Sequence, residues 1–331
     1  MSAARTSWLA ACYLGCLLAG AASACVGQVP RLGIADAIAA LHAGQADKSL
    51  SILDSLPANE LGSAEAHNVR CRVLFTLELW SAAGNDCQQA VNQAPQNAGY
   101  HLWLGRALGE MADKGSFVAA YSLAKRARAE FEQAVQLEPR NAEALADLGE
   151  FYSSAPGVVG GGNDKAARVA GQLDRVDPTR AHELRAAIAQ ENHDFGSAER
   201  ELRAAIASSP HPAFQWMRLG SFFRRNKRYP EMESAVQSGF AAAQRDHKAG
   251  VALFNGASVL MKANRNLPLA QKLLETYLSS QGTTEEAPAF VAHAWLARVK
   301  ASQGDKNGAR QEQSTALSMA GSYKPAQELK F

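Results

Sequence analysis

The residue types that catalyse reactions or bind metals are present in this sequence, but their spacing matches none of the usual arrangements. The eight histidines are scattered, and none stands in an H-x3-H or H-E-x2-H pattern, which would place two imidazoles on one helix face. No G-x-S-x-G elbow is present to expose a nucleophilic serine. The sequence therefore predicts no metal site, no cofactor, no catalytic residue and no enzymatic activity.

The Gly-rich segment 155–164 is a stretch whose backbone amides could hold an anion. It lacks the Lys-Ser/Thr pair of a P-loop, however, and it follows no predicted strand. Its proline and its four glycines raise the cost of a helix by about 3 and about 1 kcal/mol per residue, respectively. We therefore expect an exposed, non-helical turn between two helices, with Asp164 capping the second of them.

The first 24 residues have the composition of an export signal. Arg5 precedes an apolar run over residues 8–18, and an A-x-A cleavage site occupies residues 22–24. The apolar run is short for a membrane span, although an uncleaved anchor is the alternative. Residues 1–24 are thus predicted to be a signal peptide. The mature protein is then periplasmic or secreted and has no transmembrane segment.

Cys25 directly follows this predicted cleavage site, at the position where a bacterial lipoprotein carries its lipidated cysteine. The residue three positions earlier is Ala22, whereas lipoprotein sites prefer leucine. Lipidation of Cys25, which would anchor the protein to a membrane, therefore stays open beside a free mature chain.

Ala-rich amphipathic segments followed by a proline divide the rest of the chain. Of the 331 residues, 47% are apolar but only 7% are aromatic, which favours close packing of helices. Four such segments end at Pro95, Pro139, Pro178 and Pro210, and a proline stops a helix. No segment shows the sustained alternation of a strand. The net charge of +2 indicates neither a nucleic acid nor an anionic lipid surface as partner.

The stretch 216–223 carries the clearest motif. Helical spacing places Trp216, Leu219-Gly220 and Phe223 on one face, where the glycine lets a second helix approach and the aromatic rings fill the space beside it. The Leu-Gly step returns at residues 104–105 and 148–149. This W-x2-L-G-x2-Y pattern resembles the first helix of a tetratricopeptide (TPR) unit.

The TPR resemblance extends over nearly the whole mature chain and implies its fold. We expect an all-α, right-handed superhelical solenoid of about eight helical hairpins over residues 30–320, with residues 321–331 as a C-terminal tail. An insertion at residues 113–122 keeps helical spacing, so we expect a longer second helix there. Pro156 and the glycines 160–162 are also similar to the periplasmic TPR subunit of tripartite solute uptake systems.

In TPR proteins the first helices line an inner groove that binds a protein or peptide. Carried over position by position, the resemblance implies a groove lined by Asn68, Arg72, Leu102, Arg106, Glu150, Glu183, Ala187, Met217 and Ser221, with Arg224 and Arg225 at its edge. Some TPR proteins clamp a carboxylate with a set of Lys and Asn residues, but the full set is missing here. We interpret Trp80, Trp103 and Trp295 as packing residues and the cluster 224–228 as a solvated turn.

Two functions remain after these exclusions. The first is an exported scaffold that binds a protein or peptide partner in its concave groove without catalysis. The alternative is an accessory subunit of a periplasmic solute uptake system, for which a closed cavity or pore and an oligomer are expected. An open groove is expected of the scaffold.

The last prediction from the sequence is a disulfide between Cys71 and Cys87. The two residues fall on the two helices of one hairpin, nearly equidistant from a turn expected near residues 82–84, so their Cα atoms should lie within about 7 Å. Export permits oxidation, and the bridge should stabilise the fold by roughly 3 kcal/mol. The alternative is two buried thiols. Thiol counting on the denatured, unreduced protein distinguishes the disulfide from two buried thiols, because two free thiols at these positions would show that the bridge is absent.

Overall fold

The computed structural model describes residues 32–246, 248–280 and 282–331. These residues form eighteen α-helices and one 3-10 turn, and their only bridge is an isolated one between Thr284 and Ala287. None of the described helices is long and apolar enough to cross a membrane. The predicted signal peptide and Cys25 lie outside the described residues.

Sixteen of the helices pair consecutively into eight hairpins, which confirms the predicted all-α solenoid and its number of units. The first four pairs are α1 (Ile34–His42) with α2 (Ala46–Asp54), α4 (Ala64–Thr76) with α5 (Trp80–Gln93), α6 (Ala98–Lys114) with α7 (Phe117–Leu137), and α8 (Ala142–Ser154) with α9 (Asn163–Leu173). The last four are α10 (Pro178–Glu191) with α11 (Phe195–Ser208), α12 (Pro212–Arg225) with α13 (Tyr229–Ala243), α14 (Gly250–Ala263) with α15 (Leu267–Ser279), and α16 (Ala289–Ser302) with α17 (Lys306–Met319). Two short helices, α3 (Ala58–Leu61) and α18 (Lys324–Gln327), lie outside the pairs.

The third hairpin contains the long second helix that the insertion predicts. Helix α7 spans 21 residues, and its buried residues all lie at or after Ala127. Phe117 and Val118 at this end are 91% and 80% exposed.

Residues 155–162 depart from α-helix as predicted, whereas residues 163 and 164 already belong to α9, and only part of the segment is exposed. A 3-10 turn at Gly157–Val159 joins α8 to α9, and the side chain of Val159 is buried. The capping prediction is wrong, because α9 begins at Asn163 and its N-cap is Gly162. Asp164 lies instead in the first turn, where the positive end of the helix dipole stabilises its carboxylate.

The turn of the second hairpin is also displaced from its predicted place. The chain reverses at Glu78, which adopts a positive φ of 60°, whereas Gly84 lies buried within α5. The absent side chain of Gly84 leaves room for the sulfur of Met111 on α6. This glycine therefore serves the contact between neighbouring hairpins rather than a turn.

The two ends of the array contact each other. The guanidinium of Arg72 on α4 donates to both carboxylate oxygens of Glu285, at 2.9 and 2.7 Å. The amide of Gly321 donates to Asp47 on α2 at 2.8 Å. Residues from the first two hairpins and from the last two belong to one hydrophobic cluster. The array therefore closes on itself, which the sequence comparison with TPR units did not predict.

The predicted tail, residues 321–331, takes part in this closure. Tyr323 is 3% exposed and packs edge-on against Phe290 of α16, with ring centroids 5.0 Å apart. Ala326 in α18 is fully buried. The segment is thus packed into the last hairpin rather than extended from it.

Gly44 offers a direct test of the closure. It has a positive φ of 69°, and a Cβ added there would approach the backbone nitrogen of Ala289 to 2.5 Å. Gly304 also has a positive φ, 89°, but an added Cβ would contact nothing within 4 Å. We expect Gly304→Ala to cost about 1–2 kcal/mol from backbone strain alone. Gly44→Ala should cost more and raise the radius of gyration.

Urea unfolding and small-angle X-ray scattering measure these two effects. Equal losses of stability in the two variants, with no change in the radius of gyration, would contradict the contact between Gly44 and Ala289.

Candidate functional site

The first helices of hairpins four to six form a groove, which we call the central groove. It is a cavity of about 580 Å³ lined by α8, α10 and α12, and its lining includes Glu150, Glu183, Ala187, Ser221 and Arg225. Gly149 on α8 has no side chain at the point where Leu184 of α10 packs, so these two helices approach closely. Glu150 directly follows this glycine and lines the groove.

Two buried carboxylates lie in this groove. Glu183 has a side chain only 13% exposed and forms an ion pair with Nε of Arg218 at 3.0 Å. Asp147 accepts a hydrogen bond from Nε of Arg106 at 2.6 Å. Burial raises the pKa of both carboxyl groups above their ordinary values, although the neighbouring guanidinium groups oppose the shift.

The basic side chains of Arg218 and Arg225, both on α12, also line this groove. Burial in the groove lowers the pKa of Arg225, and the like charges of Arg224 and Arg218 lower it further. Arg225 donates to the amide oxygen of Gln190 at 2.6 Å. Neither Arg225 nor Glu150 forms an ion pair with any described residue, although Glu150 attracts the Arg225 charge across the groove. The groove therefore presents unpaired charges of both signs.

Three of the predicted groove residues are core residues instead. Asn68, Leu102 and Met217 are 7%, 4% and 2% exposed. Each lies three positions before the small residue of its helix, and this position faces the next hairpin. The sulfur of Met217, for instance, occupies the space beside Gly256 on α14. Their assignment to a binding surface is thus corrected.

Three predicted arginines lie elsewhere than the central groove. Arg72 is held by Glu285 in the closure, and Arg106 donates to Glu143 and Asp147, so the fold neutralises both charges. Arg224 does not line the groove, and its buried Nε has no hydrogen-bond partner among the described residues.

A repeated histidine–carboxylate pair escaped the search for metal-binding motifs. In four hairpins a histidine on the first helix shares a hydrogen bond of 2.6–2.8 Å, through Nδ1, with an acid on the second helix. The pairs are His67–Asp86, His101–Glu130, His182–Glu201 and His293–Glu312. Each histidine stands four residues before the small residue of its helix, and this spacing is the signal that could have identified them. The pairs join the helices of a hairpin.

The cysteines Cys71 and Cys87 lie at disulfide distance within the second hairpin. Their Cα atoms are 5.2 Å apart, and both side chains are fully buried. Cys71 occupies the small position of α4 that glycine fills in α6 and α8. The geometry suits a bridge, and thiol counting remains the test of its formation.

The buried carboxylate of the groove predicts a pH dependence of stability. The folded-state pKa of Glu183 is raised above its unfolded-state pKa. The free energy of unfolding therefore falls as the pH rises from the lower of these two values to the higher. Glu183→Gln removes this loss, so its stability relative to wild type should improve as the pH rises above 4.5, the ordinary pKa of a glutamate. Urea unfolding at several pH values measures the difference.

Glu231→Gln is the control with the opposite sign. Its own amide and Arg228 lower the pKa of Glu231, so the stability that its charge contributes is lost as the pH falls below the ordinary value of 4.5. The disadvantage of Glu231→Gln relative to wild type should therefore shrink as the pH falls below 4.5 and stay constant above it. A Glu183→Gln effect that does not vary with pH would show that burial does not disfavour the charge of Glu183.

Comparisons with known proteins give distant relatives. No protein-family description matches the chain. Superkiller complex protein 3 of Mus musculus is 25% identical over 228 residues, which cover 67% of this chain but only 14% of that protein. A thermophilic TPR protein of Thermus thermophilus is 18% identical, with a TM-score of 0.47 over 58% of this chain and 99% of the other.

The C-terminal part of a TPR repeat-containing protein from Cytophaga hutchinsonii is 13% identical, with a TM-score of 0.40 over 77% of this chain and 97% of the other. The fold itself consists of eight consecutive helical hairpins, in which small residues admit the partner helix at the TPR positions. The chain has a TPR-like helical-hairpin fold.

Proposed function

We propose that this protein is an exported, non-catalytic scaffold whose central groove binds a peptide segment carrying both acidic and basic side chains. The observation that carries the proposal is the pair of unpaired, opposite charges, Arg225 and Glu150, across one cavity. TPR-like folds typically serve protein interaction, which supports a macromolecular partner.

The charges of the groove specify the partner more closely. An acidic side chain near Arg225 would relieve the mutual repulsion of Arg218, Arg224 and Arg225. A basic side chain would find Glu150 and Glu191, neither of which forms an ion pair among the described residues. Such complementarity favours specificity and a fast encounter over high affinity.

The proposed export rests on residues 1–24 and on the cysteine pair. A reducing cytosol would leave Cys71 and Cys87 as thiols, so the thiol count on protein isolated from its own cells bears on export as well.

A peptide-display selection tests the groove. The wild-type protein should enrich peptides that contain both charge signs, and Arg225→Glu should shift the selection from acidic toward basic residues at one peptide position. Arg310→Glu is the matched control, because Arg310 is an exposed arginine on α17, outside the groove. It should select the same peptides as the wild type.

Fluorescence polarisation with a selected peptide measures how much affinity the Arg225→Glu variant loses. Arg225→Glu should weaken the binding of a peptide selected by the wild-type protein by about tenfold or more, because a charge-assisted hydrogen bond is replaced by a repulsion between like charges. Identical selections by all three proteins, with unchanged melting curves, would place peptide binding outside the central groove.

A further inference from the structure

A second cavity lies where the two ends of the array meet, and we call it the closure cavity. Its volume is about 600 Å³, which is within the range of small-molecule sites. Helices α4 to α6 form one wall with Phe75, Trp80 and Trp103. The opposite wall carries Phe254 from α14 and Trp295 from α16. The cavity exists only because the array closes. It shares no lining residue with the central groove.

Internal contacts hold the first wall in place. The guanidinium carbons of Arg106 and Arg72 lie 4.9 and 5.6 Å from the ring centre of Trp103. Phe75 meets the Trp103 ring edge-on, with centroids 5.5 Å apart. Both arginines are themselves fixed by carboxylates. The aromatic surface is therefore preorganised, which lowers the entropy that a ligand would lose on binding.

The second wall presents a stacked pair of rings. Trp295 lies parallel to Phe254, with centroids 4.1 Å apart and planes inclined by 15°. Phe254 is buried, whereas Trp295 and Trp103 are only half-buried and line the cavity. Apolar surface left in water costs about 25 cal/mol per Å². A planar aromatic ligand between the walls would remove that cost and gain stacking contacts.

Arg298 specifies the charge of the ligand. It stands one helical turn after Trp295 on α16, is exposed, lines the cavity and forms no ion pair among the described residues. The acids of the cavity are engaged to different degrees. Glu285 is bound by Arg72, the charge of Glu78 raises the pKa of Tyr323, and Glu286 accepts a hydrogen bond from the hydroxyl of Thr284 at 3.5 Å but forms no ion pair with a described residue.

The geometry points to a binding site for a planar aromatic carboxylate, with the ring between the Trp103 and Trp295 walls and the carboxylate on Arg298. A guanidinium binds a carboxylate through two parallel hydrogen bonds, so the charge and the ring orient the ligand together. The site is separate from the peptide groove, and either can be correct without the other.

Titration of the purified protein with 2-naphthoate tests the site by calorimetry and by tryptophan fluorescence. We expect saturable binding to one site, weaker binding of the neutral 2-naphthamide by about tenfold, and the weakest binding of the cationic 2-naphthylmethylamine. Arg298→Met should bring the acid and the amide to similar affinity. Trp295→Leu should weaken both, and Arg298→Met keeps the test valid if Trp295→Leu unfolds the protein.

Arg310→Met is the matched control, because this exposed arginine of α17 lies outside both cavities, and it should leave 2-naphthoate binding unchanged. The proposal is overturned by an absence of saturable binding at millimolar 2-naphthoate, or by an affinity that Arg298→Met leaves intact. Tighter binding of the amine than of the acid would also overturn it, because Glu286 rather than Arg298 would then select the ligand. None of these outcomes changes the peptide selection by the central groove.

Discussion

The structure depends on small residues at the point where two helices approach most closely. In α6 the ring of Phe131 from α7 packs against Gly105, and in α8 the side chain of Leu184 from α10 packs against Gly149. A Cβ at either glycine would collide with its neighbour, so the hairpins could not keep this spacing. In α8 and α12 the residue after the small one, Glu150 or Ser221, lines the central groove, and in α12 the residue three before it, Met217, packs beside α14.

The local parts of the fold could be predicted because their signals are local. The Leu-Gly steps at residues 104–105 and 148–149 fall within the first helices α6 and α8, and the long second helix expected from the insertion is α7. Prediction failed where one residue type serves two purposes. Glycine is common in turns, so the sequence predicts that Gly84 lies in one. The turn is formed instead by Glu78, which adopts the left-handed conformation, and Gly84 leaves room for the side chain of Met111. Glycine alone does not distinguish these roles.

The candidate site could be predicted only in part. Glu150 and Ser221, which directly follow the small residues of their helices, do line the central groove, since helical spacing determines the face. Their contact with a partner stays a prediction. Which arginines remain available for a partner could not be predicted. Arg72 is neutralised by Glu285, 213 residues away in sequence, and Arg106 by two acids of the next hairpin. Such pairings depend on how the whole array curves, and no single repeat encodes that curvature.

The contact between the array ends also limits how the protein can change in length. An open solenoid tolerates the gain or loss of a repeat, because each unit contacts only its neighbours. Here one additional hairpin would separate Arg72 from Glu285 and Asp47 from Gly321, and it would also divide the two walls of the closure cavity. Duplication of a repeat within the array is therefore obstructed by the contacts that close it.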